Sequence, residues 1–332
     1  WGRLLMRRRE AALARIEKRE ERNLFETDYL MGVFDEHRLG GLRFKESMEG
    51  AFQNDDSKMA SPPRTSIREL EEISLRLEEE NISNDEEYLK WLNMLMAPGS
   101  SLGGARPKAS VSGTDQSLWI AKFPARNDTT DVGGWEAVTY ELALKAGINM
   151  ARSEARKYTS SHHTFLTRRF DRTLTGERIH FASAMTMLGY ADGQDHMDGV
   201  SYLELAEFII KNGAGVSADL EELWRRIVFS ICVSNTDDHL RNHGFILTLK
   251  GWRLSPAFDI NPVETGNGLK LNISLNDNAL DIDLALNVID YFRISKSKAL
   301  KIIKQVKGSV SNWRQVADKY NLSRSEQDLK SR

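Results

Sequence analysis

The sequence has little cysteine, no long apolar run and no excess of either charge. A single cysteine, Cys232, among 332 residues excludes an intramolecular disulfide and a thiolate zinc cage, and it fits a reducing cytoplasm. No apolar stretch approaches the roughly 20 residues that a membrane-spanning helix needs, and no signal-peptide pattern is visible. The expectation is a soluble, cytoplasmic protein with no membrane contact. Lys and Arg total 46 against 48 Asp and Glu, a formal net charge of −2, so nothing global calls for nucleic acid or an anionic surface. No internal repeat is present. A chain of this length exceeds what one core fills and predicts two lobes. The first residue is Trp1 rather than Met, so the sequence is read as one that can lack its native start.

What is there concentrates in residues 235–262, N-T-D-D-H-L-R-N-H-G-F-I-L-T-L-K-G-W-R-L-S-P-A-F-D-I-N-P. Ionisable residues crowd the first half, an alternating apolar stretch follows, and an aspartate closes it. The alternation predicts strands over 246–249 and 252–255, with Lys250-Gly251 as a two-residue hairpin turn. A hairpin brings the two polar ends back together. Asp237, Asn242 and Asp259 would then face one small volume, as a divalent cation with hard oxygen ligands requires. Asp237 precedes Asn242 by five residues, the spacing of the catalytic Asp and metal-binding Asn in protein-kinase catalytic loops.

Upstream, residues 4–22 read as a charged helix with a solvated face, and 28–44 as a hairpin turning at 35–38. Residues 53–63 form a polar linker. Ser66 with Glu69 and Ser83 with Glu86 are capping-box pairs that open two helices ending near 79 and 96. Residues 100–111, S-S-L-G-G-A-R-P-K-A-S-V, then form a glycine-rich loop flanked by cations. Such a loop lets backbone N–H groups approach phosphate oxygens, although Gly-Gly with Pro is also ordinary turn chemistry.

A strand over 117–123 carries Lys122, and a helix over 135–145 has Glu136 at its start. Lys122 either snorkels to solvent or, paired with Glu136, meets nucleotide phosphates. Glycine loop, strand lysine and helix glutamate stand in the order kinases use. Strands over 163–170 and 178–182 are expected to complete the sheet, and Ala182-Ser183-Ala184 is the candidate hinge whose backbone would bond adenine. Helices follow over 202–211 and 217–233, the second with Leu220, Leu223, Trp224, Ile227, Val228 and Ile231 on one core-facing side. A strand is expected at 270–275, then helices over 281–292, 295–307 and 311–320, with Gly308 as a stop.

Together W-G-R-L-L-M, Y-L-M-G-V-F-D-E-H-R-L-G-G-L-R-F, G-G-A-R-P-K-A, R-R-F-D-R, N-T-D-D-H-L-R-N-H-G-F and L-S-P-A-F-D-I-N-P resemble the HipA family of serine/threonine kinase toxins from bacterial type II toxin–antitoxin modules. The resemblance covers nearly the whole chain. It implies an α+β, bilobal protein-kinase-like fold, with a mixed N-terminal lobe over 1–184 and a mostly helical C-terminal lobe over 185–332. It also implies ATP and Mg²⁺ as cofactors. Asp237 is then the catalytic aspartate, Asn242 and Asp259 hold Mg²⁺, Lys122 meets the phosphates, and Gly103, Gly104, Ala105, Arg106, Pro107 and Lys108 lie over the nucleotide.

His239, next to Asp237, is either a support for it or a plain structural hydrogen-bonding group. The resemblance further implies a HipB-like DNA-binding antitoxin as partner, contact with DNA only through that partner, and a protein substrate, aminoacyl-tRNA synthetases among the candidates. Family members autophosphorylate a loop serine. Gly103 stands at that position here, which makes Ser101 the candidate and Ser100 the alternative. The small β-rich subdomain that usually precedes the W-G-R-L-L segment is absent here, which suggests that it either lies outside this sequence or is supplied by a separate chain. Two rival readings are a metal-dependent hydrolase with zinc on His239 and His243, four residues apart, and a catalytically silent, pseudokinase-like partner of an antitoxin.

Overall fold

The computed structural model describes residues 1–55, 66–79, 85–99, 103–115, 117–263 and 265–331. Ser83, Ser100 and Ser101 lie outside the described residues. Contacts divide the chain into two compact units, Trp1–Gly133 with Glu154–Arg178, and Gly134–Ser153 with Ile179–Arg332.

In the first unit, helix α1 (Gly2–Glu17) ends at Lys18, whose φ of 53° turns the chain out of the helix. Helix α2 spans Glu26–Met31, α3 Ile67–Leu77 and α4 Asp85–Gly99. In α3 the apolar residues recur every three or four positions, so Ile67, Leu70, Ile73 and Leu77 share one buried face. Strands β1 (Lys108–Ser112), β2 (Leu118–Lys122), β3 (Ser153–Arg156) and β4 (Thr164–Arg168) form a sheet ordered β1-β2-β4-β3, in which β2 is antiparallel to both neighbours. Ala109, Val111, Trp119, Ala121 and Leu166 of the sheet pack in one core with Leu5, Leu92 and Leu95 of the helices. Each of the valine and leucine side chains contributes about 1.5–3 kcal/mol by leaving water.

The expected hairpin over 28–44 is not formed. The Phe25 N–H donates to the Asp28 carboxylate at 2.9 Å, which caps α2, and the Arg38 guanidinium donates to the carbonyls of Leu30 and Val33 at 2.7 and 3.0 Å. Local donors therefore satisfy the backbone that a strand pair would have used, and the apolar alternation proves to be a helix followed by a 3₁₀ turn at Asp35–His37.

The second unit is mostly helical. Helices α5 (Val132–Lys145, which begins in the first unit), α6 (Ala184–Leu188), α7 (Tyr202–Asn212), α8 (Val216–Val233), α9 (Ile282–Asn287), α10 (Lys296–Val310), α11 (Trp313–Lys319) and α12 (Arg324–Leu329) accompany a sheet of β5 (Phe181–Ser183), β6 (Gly244–Thr248) and β7 (Gly251–Leu254). The helix α8 is central. Its six expected core residues are all buried, and Cys232 is half-buried beside them, with burial pushing its thiol pKa up.

Four expectations change here. Strand β5 pairs with β6 instead of completing the first sheet, because Ala182 and Ser183 register with Phe245 and Gly244. The hairpin turn is Leu249-Lys250, since Thr248 pairs with Gly251. Gly251, with φ 126°, opens β7 at a point where a Cβ would meet the Asn212 carbonyl at 2.9 Å. Residues 270–275 form no strand, although Leu271 and Ile273 are buried at alternate positions, because their backbone bonds to loops, as from Asn272 to Val200 and from Ile273 to Asp277. Gly308 lies inside α10, which continues because Val306 is buried and Ser309 Oγ donates to the Leu142 carbonyl at 2.5 Å.

Candidate active site

Helix α8 delivers the chain to the central loop through Ser234, whose left-handed φ of 52° turns it sharply. The Asn235 N–H returns to the Ser230 carbonyl at 2.9 Å, and Thr236 Oγ1 donates to the Thr265 carbonyl at 2.8 Å. With both neighbours fixed, the two adjacent aspartates face opposite ways. Asp237 is exposed and lines a cavity of about 540 Å³ with His196, Thr236, Asn267 and Lys270. Asp238 is buried.

Asp238 is the hub that holds this loop. Its Oδ2 accepts from the Tyr202 hydroxyl at 2.6 Å and from Ser230 Oγ at 3.4 Å, while Oδ1 lies 3.0 Å from His243 Nε2. Burial works to raise its pKa, but His243 and the Tyr202 hydroxyl outweigh it and hold the carboxyl below its ordinary value. Burial and the Asp238 charge push the Tyr202 phenol well above its own. Sequence reasoning passed over both residues. The D-D doublet was the only local signal for Asp238, and nothing in the sequence ties it to a tyrosine 36 residues upstream.

Asn242 brings the remaining pieces together. Its side-chain Nδ2 donates to the Asp237 carbonyl at 3.2 Å and to the Asp259 carbonyl at 3.5 Å. The loop before β6 and the segment after β7 are thus joined through one amide, as the hairpin argument required. Arg226, buried in α8, fixes the end of that hairpin by donating to the Ser255 carbonyl at 2.7 Å, and Arg253 forks onto Asp219 at 2.8 and 2.9 Å. Asp259 has φ 58°, a conformation that Asp and Asn tolerate better than most residues. Its Oδ1 accepts from Asn261 Nδ2 at 3.4 Å, and Asn261 Oδ1 is buried with no hydrogen-bond partner among the described residues. An orphaned buried acceptor beside a carboxylate and a second amide is a donor set suited to a hard cation. Mg²⁺ takes one or two carboxylates and fills its remaining positions with water and phosphate oxygens, so these residues fit it.

His239 contributes through its backbone: its N–H donates to the Asp237 carbonyl at 3.0 Å and its carbonyl accepts the Asn242 N–H at 2.8 Å. The imidazole that supports the loop is that of His243. The zinc reading is corrected at this point. His239 and His243 are extended residues on either side of a 3₁₀ turn, Leu240–Asn242, so they do not share a helical face, and His243 is engaged by Asp238. Among the described residues, no group of three or more His, Cys, Asp or Glu is disposed to hold a metal. The candidate hinge is a strand end. The Ala184 N–H donates to the His243 carbonyl at 2.8 Å, its side chain is buried, and Ser183 Oγ accepts from the Thr186 N–H at 3.2 Å.

The glycine loop and Lys122 belong to the first unit. Lys122 is half-buried at the end of β2, where it pairs with Lys108 of β1 and Phe165 of β4, and its Nζ sits 5.8 Å from the Phe165 ring centroid. Gly104 needs its positive φ of 78°, and a Cβ there would lie 2.8 Å from Lys108 Nζ. Gly103 and Ala105 are exposed, while the Pro107 carbonyl accepts the Phe123 N–H at 2.9 Å. Arg106 forks onto Asp128 at 2.8 and 2.6 Å, so its charge is already matched. Glu136 is buried on α5 in the second unit.

Comparison with known proteins bears on the family and the fold. The HipA-like C-terminal domain family matches residues 100–313. A Haemophilus influenzae protein named provisionally as a kinase is 26% identical over 179 residues, 48% of this chain and 52% of the relative. The serine/threonine-protein kinase toxin HipA of Shewanella oneidensis is 24% identical over 226 residues, 60% of this chain and 50% of the relative. The chain thus spans about half the length of the curated relatives it matches. Among solved structures, HipA of Shewanella oneidensis MR-1, in complex with HipB and operator DNA, superposes with a TM-score of 0.56 at 17% identity, over 70% of this chain and 62% of that one. At that identity the likeness establishes the fold, which is α+β and kinase-like. With about two thirds of its length matched by the family, the chain is a member of the HipA-like C-terminal domain family.

Proposed function

We propose that this chain is an ATP- and Mg²⁺-dependent protein serine/threonine kinase that acts as a growth-inhibiting toxin. The observation that carries the reading is the Asn242 amide bridging the carbonyls of Asp237 and Asp259, which sets a candidate base and a candidate metal carboxylate on one rigid frame. Asp237, exposed beside its cavity, accepts or orients the proton of the acceptor hydroxyl. Asn242 and Asp259 would hold Mg²⁺, which would supply charge neutralisation at the phosphoryl group. Lys122 and the loop of Gly103, Gly104, Ala105, Arg106, Pro107 and Lys108 serve the nucleotide phosphates. Transfers of this kind depend mainly on positioning and charge stabilisation, and the Asp238 network supplies the positioning.

The substrate is a protein serine or threonine, with a translation protein such as an aminoacyl-tRNA synthetase as the first candidate. A HipB-like antitoxin is the partner; the relative in the solved complex is bound to HipB and operator DNA. Ser101, with Ser100 as the alternative, is the proposed autophosphorylation site on the glycine loop. The test is incubation of the purified protein with Mg²⁺ and ATP, followed by mass spectrometry. Phosphoprotein in the wild type and none in Asp237→Asn is the expected result, and equal labelling in both refutes the role of Asp237.

A further inference from the structure

A second charged cavity lies at the other end of the first sheet. It opens where β2 begins and β4 ends: Trp119 pairs with Arg168 there, three residues along the strands from the pairing of Lys122 with Phe165, or roughly 10 Å. Four arginines, Arg168, Arg169, Arg172 and Arg178, line it together with Thr173, and among the described residues Glu36 supplies its one lining carboxylate. The acids that pair with Arg169, Arg172 and Arg178, which are Asp171 and Asp35, are buried and do not line it.

The arginines differ in how fully they are engaged. Arg169 forks onto Asp171 and donates to the His37 and Arg38 carbonyls, while Arg172 and Arg178 direct their Nη groups at the carbonyls of residues 35–40 and at Asp171 or Asp35. These bonds explain why the cations are packed together: they clamp an irregular backbone segment. They leave the Nε–H groups of Arg172 and Arg178 without a hydrogen bond among the described residues. Among the described residues Arg168 pairs with Asp115 alone, at 3.5 Å, and that carboxylate is more than half exposed. The clamp therefore accounts for the Nη groups of Arg172 and Arg178 but not for their Nε–H groups or for Arg168. Burial, and after it the neighbouring Arg169, depress the Arg172 pKa to about 10, and burial lowers that of Arg178.

We propose that this cavity binds a phosphomonoester dianion, held by Arg168 with the free edges of Arg172 and Arg178. Planar guanidinium groups suit tetrahedral oxyanions, and several of them match a charge near −2 better than a single carboxylate would. The cavity is about 90 Å³, well below the size of sites that take a whole nucleotide or drug-sized ligand. The anion is then either inorganic phosphate or the phosphate of a phosphorylated side chain. The site is separate from Lys122 and does not depend on the kinase reading.

Calorimetric titration of the full chain tests this, with inorganic phosphate as one probe and a phosphoserine peptide with neutral flanks as the other. Ionic strength is held constant with chloride. The variants are Arg168→Gln, which removes no contact to the clamped segment, and Arg168→Lys, which keeps the charge and loses the fork. Saturable binding weakened about tenfold or more in Arg168→Gln and less in Arg168→Lys is expected. Tighter binding of the peptide than of phosphate identifies a phosphorylated side chain as the ligand, and equal or weaker binding identifies free phosphate. No saturable binding of either probe, or binding unchanged in Arg168→Gln, overturns the proposal.

Discussion

Replacing Asp238 by Asn keeps the volume of the side chain and removes its charge, at a site only 3% exposed. The wild-type carboxylate accepts from Tyr202 on one oxygen and faces His243 Nε2 on the other. An amide offers one acceptor and one donor group in their place. If its NH₂ faces Tyr202, the phenol loses its acceptor. If it faces His243, the ring must shift its proton to Nδ1, which is buried with no partner. Either way one buried donor is orphaned and the other bond loses its charge assistance. A charge-assisted hydrogen bond contributes about 1.5–3 kcal/mol and an orphaned buried group costs about 1–3 kcal/mol, so Asp238→Asn is expected to destabilise the protein by about 2–4 kcal/mol. Urea denaturation followed by circular dichroism measures this as a lower midpoint with an unchanged slope. Tyr202→Phe alone should cost less, and the double variant should be less destabilised than the sum of the singles, by about 0.5 kcal/mol or more. A midpoint within about 0.5 kcal/mol of wild type, or strict additivity, would refute the view that Asp238 holds the loop.

Asp259→Asn, which tolerates the left-handed φ at that position, is expected to fold normally and to lose Mg²⁺-dependent ATP affinity by about 10- to 100-fold; unchanged affinity by titration removes Asp259 from the metal site. Lys122→Ala should lower turnover by about 10²- to 10³-fold with the urea midpoint preserved, and wild-type kinetics would mean that Lys122 only snorkels. Acid gives a further check. The Asp238 carboxyl has its folded pKa lowered, so its contribution is fully present above the unfolded value of about 3.9 and is lost as pH falls through the folded one. The stability gap between wild type and Asp238→Asn should therefore narrow below about pH 4, and a gap constant to lower pH would contradict the depressed pKa.

The family was legible in the sequence because its signal is local. The 235–262 stretch and the L-S-P-A-F-D-I-N-P segment keep their chemistry in short runs, and the face of α8 is set by a helical period that any reader of the sequence can count. The hairpin between Asn242 and Asp259 followed from alternation and a turn residue, with its turn displaced by one position. Tertiary structure decided what depended on distant partners. Residues 28–44 look like a strand pair until the Arg38 guanidinium and the Asp28 cap are seen to satisfy the backbone locally. Residues 270–275 alternate as a strand does, yet their hydrogen bonds go to loops. Of two adjacent aspartates, only packing determined that Asp237 faces water and Asp238 is buried against Tyr202 and His243. Periodicity and spacing are properties of neighbours along the chain, whereas burial and the pairing of polar groups depend on residues that the chain brings together only on folding.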